Sequence, residues 1–186
     1  MCDLSKLAIF IGRCQPLHNG HKYIIDKMIE ESGIENSLVI LGSKGEPNTA
    51  WNPFTVEQRH KMIKSVWPDI NVTAIEDMPT NEKWMNHLSW LINWIYEGEV
   101  KEITLYCGDD SKVATLFTEY EFGNVRTVLT RDEFDIFDIS GTLIRLEMLQ
   151  PRKLPLILNQ VPTEIYDGLQ EMFDEQLNER LNRELG

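Results

Sequence analysis

The chain is poor in cysteine: Cys2, Cys14 and Cys107 are the only three in 186 residues. They form no CxxC pair and leave an odd count, so neither a disulfide framework nor a cysteine zinc site is indicated, and a reducing, intracellular setting fits. No window approaches the roughly 18 apolar residues of a membrane span, and the opening MCDLSK lacks a basic stretch leading into an apolar run. The expectation is a cytoplasmic protein with no membrane partner. Positive charge is also scarce, 18 Lys and Arg against 30 Asp and Glu, which leaves a net charge of −12. That balance disfavours a nucleic-acid binder, which needs a broad basic surface to displace counterions. Any anionic ligand must be met by a local concentration of positive groups. No internal repeat and no low-complexity tract is present.

What is there has the composition of a globular domain, 42% apolar and 26% charged. At this length one domain has the better prior. Short β-rich runs alternate with longer helical patterns, the signature of parallel strands joined by helical crossovers. Strands are predicted at Lys6–Gly12, Ser37–Gly42, Val72–Glu76, Glu102–Cys107 and Val125–Leu129, with helices from about His21 to Ser32, from Thr55 to Trp67, and over Glu82–Tyr96, Ser111–Tyr120 and Ser140 to about Leu149. Thr55, with Gln58 three residues on, reads as an N-cap, and Pro68 stops that helix. The fold class expected is α/β, a doubly wound parallel five-stranded sheet, with a C-terminal helical segment. Residues 1–150 form the main domain and 151–186 an extension packed on it. The last helix, Thr163–Leu185, carries seven Asp or Glu against two Arg, so its apolar face docks and the rest is solvated.

Two helix starts look built for phosphate, because free backbone N–H groups and the helix dipole converge there. The first is GRCQPLHNGH, Gly12 to His21. It follows a strand, has Gly12 and Gly20 for close approach, and sets His18 and His21 three residues apart, where both rings can face one phosphate. Alone, such a pair also fits a helix cap or an adventitious metal site; a zinc site lacks a third ligand nearby. The second is DISGTLIR, Asp138 to Arg145. Ser140 and Thr142 offer hydroxyls, Gly141 removes bulk, and Arg145 leans back toward the helix start. In isolation the string is equally a capped helix with a surface Arg. The long polar loop SKGEPNTAWNPF between the second strand and its helix is of a length often used functionally, and Trp51 within it reads as a cover over the site.

Together the two strings are far more specific, and the chain resembles the nucleotidyltransferase superfamily defined by an H-x-G-H signature and a later [ST]-x-x-R signature. GRCQPLHNGH, NPFTVEQR and ISGTLIR are similar to the archaeal-type nicotinamide mononucleotide adenylyltransferases over about residues 6–150. The resemblance implies a Rossmann-like nucleotidyltransferase fold, a role in NAD biosynthesis, and ATP and nicotinamide mononucleotide as substrates, giving NAD and pyrophosphate. It implies that His18 and His21 contact the ATP phosphates, that Gly12, Arg13, Gly20 and Arg59 surround them, and that Ser140, Gly141, Thr142 and Arg145 hold the departing pyrophosphate. Gly108, in Tyr106-Cys107-Gly108-Asp109-Asp110, falls in the adenosine-side loop, and Ile139 near the adenine. Cys14 stands where the family mostly has a bulky apolar residue, which weakens loop packing. Trp84 would stack on the nicotinamide, with Asp77 and Asn81 beside its carboxamide, an arrangement favourable to a pyridinium. Trp84 shares its helix with Trp90, Leu91 and Trp94, and a core role is the alternative.

No covalent intermediate is needed, because a phosphate oxygen is already a nucleophile. Arg13, His18, His21, Arg59, Arg145 and a magnesium ion carried in with ATP would reverse the local field; no dedicated metal ligands are visible. Two other readings stay open: the same chemistry on another acceptor, such as FMN, pantetheine phosphate or a cytidylyltransferase substrate, and a nucleotide-sensing module without turnover. Asp77 would repel a carboxylate and tilts the acceptor toward the amide form. Archaeal-type relatives assemble into multimers, so a homo-oligomer is a further expectation.

Overall fold

The computed structural model describes residues 5–45, 49, 52–108, 111–129, 139–149 and 159–185. Five strands, β1 (Lys6–Gly12), β2 (Ser37–Leu41), β3 (Asn71–Ala74), β4 (Glu102–Gly108) and β5 (Asn124–Leu129), form one sheet in the order β3-β2-β1-β4-β5. All four pairings are parallel. The helices are α1 (Asn19–Ser32), α2 (Val56–Val66), α3 (Asn81–Ile95), α4 (Lys112–Glu119), α5 (Gly141–Met148) and α6 (Thr163–Leu185).

The strands bury both faces because successive side chains point to opposite sides. Ala8, Phe10, Val39, Leu41 and Tyr106 face one core, shared with Ile24, Ile25 and Met28 of α1, Met62 and Ile63 of α2, Ile144 of α5 and Ile165, Leu169 and Phe173 of α6. Leu7, Ile9, Leu38, Ile40, Leu105 and Cys107 face the other, with Met85, Leu88, Leu91 and Ile92 of α3 and Phe117 of α4. The sheet is therefore sandwiched between two helical layers. The acidic α6 buries Ile165, Leu169 and Phe173 in the first core.

Each strand and helix lies where the residue pattern predicts one, with ends shifted by a few residues. The capping box is present: Thr55 Oγ1 accepts the Gln58 N–H and Gln58 Oε1 accepts the Thr55 N–H. α1 starts at Asn19 rather than near His21, because His18 itself is the N-cap and its Nδ1 accepts the His21 N–H at 3.3 Å.

The chain leaves β1 on one side of the sheet for β2 and β3, and returns on the other side for β4 and β5. That reversal opens a crevice beyond the carboxyl ends of β1 and β4, where open parallel sheets bind ligands.

Candidate functional site

A cavity of about 420 Å³ occupies that crevice. Gly12 and Arg13 enter it from the end of β1, His18, Gly20 and His21 from the start of α1, Gly108 and Ser111 from the turn after β4, and Ile139, Ser140, Gly141, Thr142 and Arg145 from the start of α5. The two strings, far apart in sequence, thus line one space. No Asp or Glu among the described residues lines it. Trp51, Asp109, Asp110 and Asp138 lie outside the described residues.

The two imidazoles stack, with ring centroids 3.6 Å apart and planes 17° from parallel. His18 is a helix cap and a cavity group at once. Because its Nδ1 accepts, the neutral ring carries its proton on Nε2 and has one N–H donor to offer. Burial lowers its pKa to about 4. Burial and then the neighbouring His18 lower His21 as well, and His21 Nδ1 is buried without a hydrogen-bond partner. Both rings are neutral near pH 7, and an anion placed against them would favour protonation.

At the start of α5, Ser140 Oγ accepts the Leu143 N–H at 3.2 Å and Thr142 Oγ1 accepts Arg145 Nη2 at 3.0 Å. Each hydroxyl is an acceptor there, which leaves its O–H proton for a ligand. Arg145 is 8% exposed, and its Nη1 donates to the backbone carbonyl of Gln15. Burial, and then the charge of Arg13, weaken its hold on its proton, yet a guanidinium stays ionised. Two like charges in one cavity, with no carboxylate among the described residues that line it, are a standing attraction for an anion. Gly141 is where the loops touch: a Cβ there would lie 2.7 Å from the Gln15 oxygen.

Gln15, which the residue pattern does not single out, joins three parts of the site. Its carboxamide is paired both ways with the Phe54 backbone, Nε2 donating to Phe54 O and Oε1 accepting Phe54 N–H, each at 2.9 Å. Its carbonyl holds Arg145. A glutamine inside a His-containing loop was the available signal.

Arg59 corrects an expectation. It does not line the cavity; it is 1% exposed and donates to the carbonyls of Arg13 at 2.9 Å, Gly42 at 2.7 Å, Ser43 at 3.1 Å and Thr55 at 3.3 Å. A guanidinium spent on four carbonyls fastens the loops after β1 and β2 together instead of meeting an anion. Beside it Cys14, with φ of 48°, is buried, and burial pushes its thiol up to about 12 despite the Arg59 charge. That thiol is no nucleophile.

Asp77, Asn81 and Trp84 are not among the cavity residues. They follow β3, two strands away at the same edge of the sheet. Asp77 and Asn81 are exposed, and Trp84 is half-buried against the second core. Trp90 and Trp94 are exposed rather than core residues, at 57% and 69%, stacked in a column with His87.

Among the described residues no helix is long and apolar enough to cross a membrane, and no cluster of His, Cys, Asp and Glu is arranged to hold a metal.

Residues 9–147 match the family model described as cytidylyltransferase-like. A Methanococcus maripaludis protein named nicotinamide-nucleotide adenylyltransferase is 31% identical over 94% of this chain and 95% of its own length. One of the same name from Halorubrum lacusprofundi is 34% identical over 85 residues, 44% of this chain; the match spans about half of that relative, 47% of its length. In three dimensions the chain is similar to a bifunctional NMN adenylyltransferase/ADP ribose pyrophosphatase from Francisella tularensis, complexed with AMP and a manganese ion. The TM-score is 0.72 at 20% identity, covering 96% of this chain and 52% of that one; at this identity the likeness speaks for the fold.

Proposed function

The chain belongs to the cytidylyltransferase-like family, and on that premise we propose that it is a nicotinamide-nucleotide adenylyltransferase, moving the AMP part of ATP onto nicotinamide mononucleotide. One observation carries the reading. In a protein of net charge −12, the cavity at the sheet's switch point holds two arginines, two histidines and, among the described residues, no carboxylate.

A phosphate oxygen of the mononucleotide attacks the α-phosphorus of ATP in line with the oxygen bridging to the β-phosphate. The new P–O bond forms as the old one breaks, and pyrophosphate departs with the electron pair. Two unit charges of like sign 4 Å apart repel by about 4 kcal/mol at an effective dielectric of about 20. Several such pairs meet in this reaction, so one positive group would not suffice.

The Nε2–H of His18 and the ring of His21 meet the ATP phosphates, with Arg13 closing from the β1 loop. Arg145 and the Ser140 and Thr142 hydroxyls hold the leaving pyrophosphate, with Gly12, Gly20 and Gly141 in the cavity wall around the phosphates. Gly108 and Ile139 flank the adenosine. Trp84, Asp77 and Asn81, beyond β3, take the nicotinamide end. Magnesium brought in with ATP would supply further charge neutralisation, held by the phosphates rather than by residues of this chain.

The test is pyrophosphate release from ATP and Mg²⁺ with nicotinamide mononucleotide, its acid analogue, FMN or phosphopantetheine. Release with the amide mononucleotide above the other acceptors is expected. Release with FMN or phosphopantetheine alone would overturn the acceptor, and release with none would favour a nucleotide sensor.

A further inference from the structure

The chain between α5 and α6 reaches directly into the H-N-G-H string. The Asn19 N–H, one of the orphan donors of a helix start, goes to the Gln160 carbonyl at 2.8 Å. The Asn19 side-chain amide donates to the Asn159 carbonyl at 3.0 Å. One residue, standing between the cap His18 and Gly20, therefore holds two consecutive carbonyls, the nearer of them 140 residues away in sequence.

Those two carbonyls are themselves held. Gln160 Nε2 donates to Glu147 of α5 at 3.3 Å, and Val161 is buried in the first core. Beyond it α6 sets Phe173 against Phe54 with ring centroids 6.1 Å apart, and Gln58 of α2 donates to Glu175 at 3.4 Å. The last segment thus meets the start of α1, the entry to α2 and the end of α5. None of its described side chains lines the cavity, so whatever it does for the site it does through position.

We propose that Asn19 is a positioning residue: through it, residues 159–160 and the helix that follows set the start of α1, and with it the stacked imidazoles of His18 and His21. The proposal rests on the adenylyl-transfer reading for its kinetic consequence only. The His18 Nδ1 cap on the His21 N–H closes the same helical turn that Asn19 opens. If the tether lets go, the turn frays and the ring no longer keeps one tautomer and one orientation. Misplacement of a reacting group by about an ångström can cost on the order of a hundredfold in rate. Loss of one of two tethers is expected to cost about tenfold.

The experiment compares the full-length chain with Asn19→Ala, with Asn19→Gln, which keeps the amide on a longer arm, and with Lys27→Ala, an exposed change on the same helix away from the cavity. Each is followed by pyrophosphate release from Mg·ATP and nicotinamide mononucleotide, by melting temperature, and by the ring-nitrogen resonances of His18. The expected result for Asn19→Ala is kcat lower by about tenfold, a KM for ATP within about threefold of wild type, and a changed His18 ring-nitrogen pattern in a protein that still melts cooperatively. Asn19→Gln recovers part of the rate and Lys27→Ala none of the loss. Wild-type kcat, or an unchanged His18 pattern at reduced kcat, would overturn the proposal. Should the wild-type chain release no pyrophosphate with any acceptor, the adenylyl-transfer reading fails, and the His18 resonances alone decide whether Asn19 sets the ring.

Discussion

Arg145 donates from its guanidinium to the backbone carbonyl of Gln15, joining residues 130 positions apart. This bond makes one site of the two strings, because Gln15 belongs to the loop carrying His18, and Arg145 to the helix carrying Ser140 and Thr142. Gly141 permits it, since a Cβ there would stand 2.7 Å from the same oxygen and 3.2 Å from Arg145 Nη1.

Gly141→Ala should therefore force the two loops apart. Overpacking of this kind costs about 1–3 kcal/mol of stability, whereas turnover should fall by more than about tenfold because Arg145 loses its setting. Steady-state pyrophosphate release and a denaturant titration on the same preparation check it. A rate loss no larger than the loss of folded fraction would count against the bond.

Under the proposed function His18 has two duties, helix cap and phosphate donor, that mutation can separate. His18→Ala removes both the cap, worth about 1 kcal/mol, and the N–H offered to phosphate, expected to cost about a hundredfold in kcat with little change in the KM for ATP. His18→Asn keeps a capping oxygen and should restore stability without restoring kcat. Parallel recovery of both would remove the ring from the chemistry.

Burial holds His18 at about 4, below its ordinary 6.5, and His21 is lowered too. Between about 6.5 and about 4 the unfolded chain binds protons that the native chain refuses, so stability rises with pH across that window. It is complete above about 6.5 and is lost on acidification, by about 3 kcal/mol for His18 alone at the lower end. Urea unfolding at pH 7.5 and 4.5 should show this loss in the wild type and a smaller one in His18→Asn. Equal losses would place the titration elsewhere.

Arg59→Met should leave the carbonyls of Arg13, Gly42 and Ser43 without their donor. Buried groups stripped of a charged partner cost about 3 kcal/mol, read as a shifted urea midpoint at constant slope. Arg59→Lys should not recover it, since an ammonium lacks the planar fork that reaches several carbonyls at once. A midpoint unchanged in Arg59→Met would return the residue to the anion site.

The elements could be read from the residues because strand and helix periods alternate cleanly and Thr55, Ser111 and Ser140 mark helix starts; each caps the helix that follows it. The two phosphate-directed strings were visible as helix starts of unusual composition. Arg59 and Gln15 were not legible in the same way. Their partners are backbone carbonyls 39 and 46 residues away for the Gln15–Phe54 and Arg59–Arg13 pairs, and a carbonyl has no residue type to announce it. An arginine beside an anion site reads as a ligand until its burial is known. On α3 a core role is the alternative for Trp84, but Met85, Leu88, Leu91 and Ile92 form the buried stripe; they turn Trp90 and Trp94 outward and leave Trp84 on the border. The tie from Asn19 to the last segment was likewise hidden, because its far end is two more carbonyls.

The most direct measurement follows the label from ATP carrying ³²P at the α-phosphate, incubated with Mg²⁺, nicotinamide mononucleotide and the purified chain. Adenylyl transfer by direct attack predicts that the label moves into NAD in step with unlabelled pyrophosphate, with none bound to protein at any time. Label that stays in ATP, or that becomes attached to the chain, would contradict it.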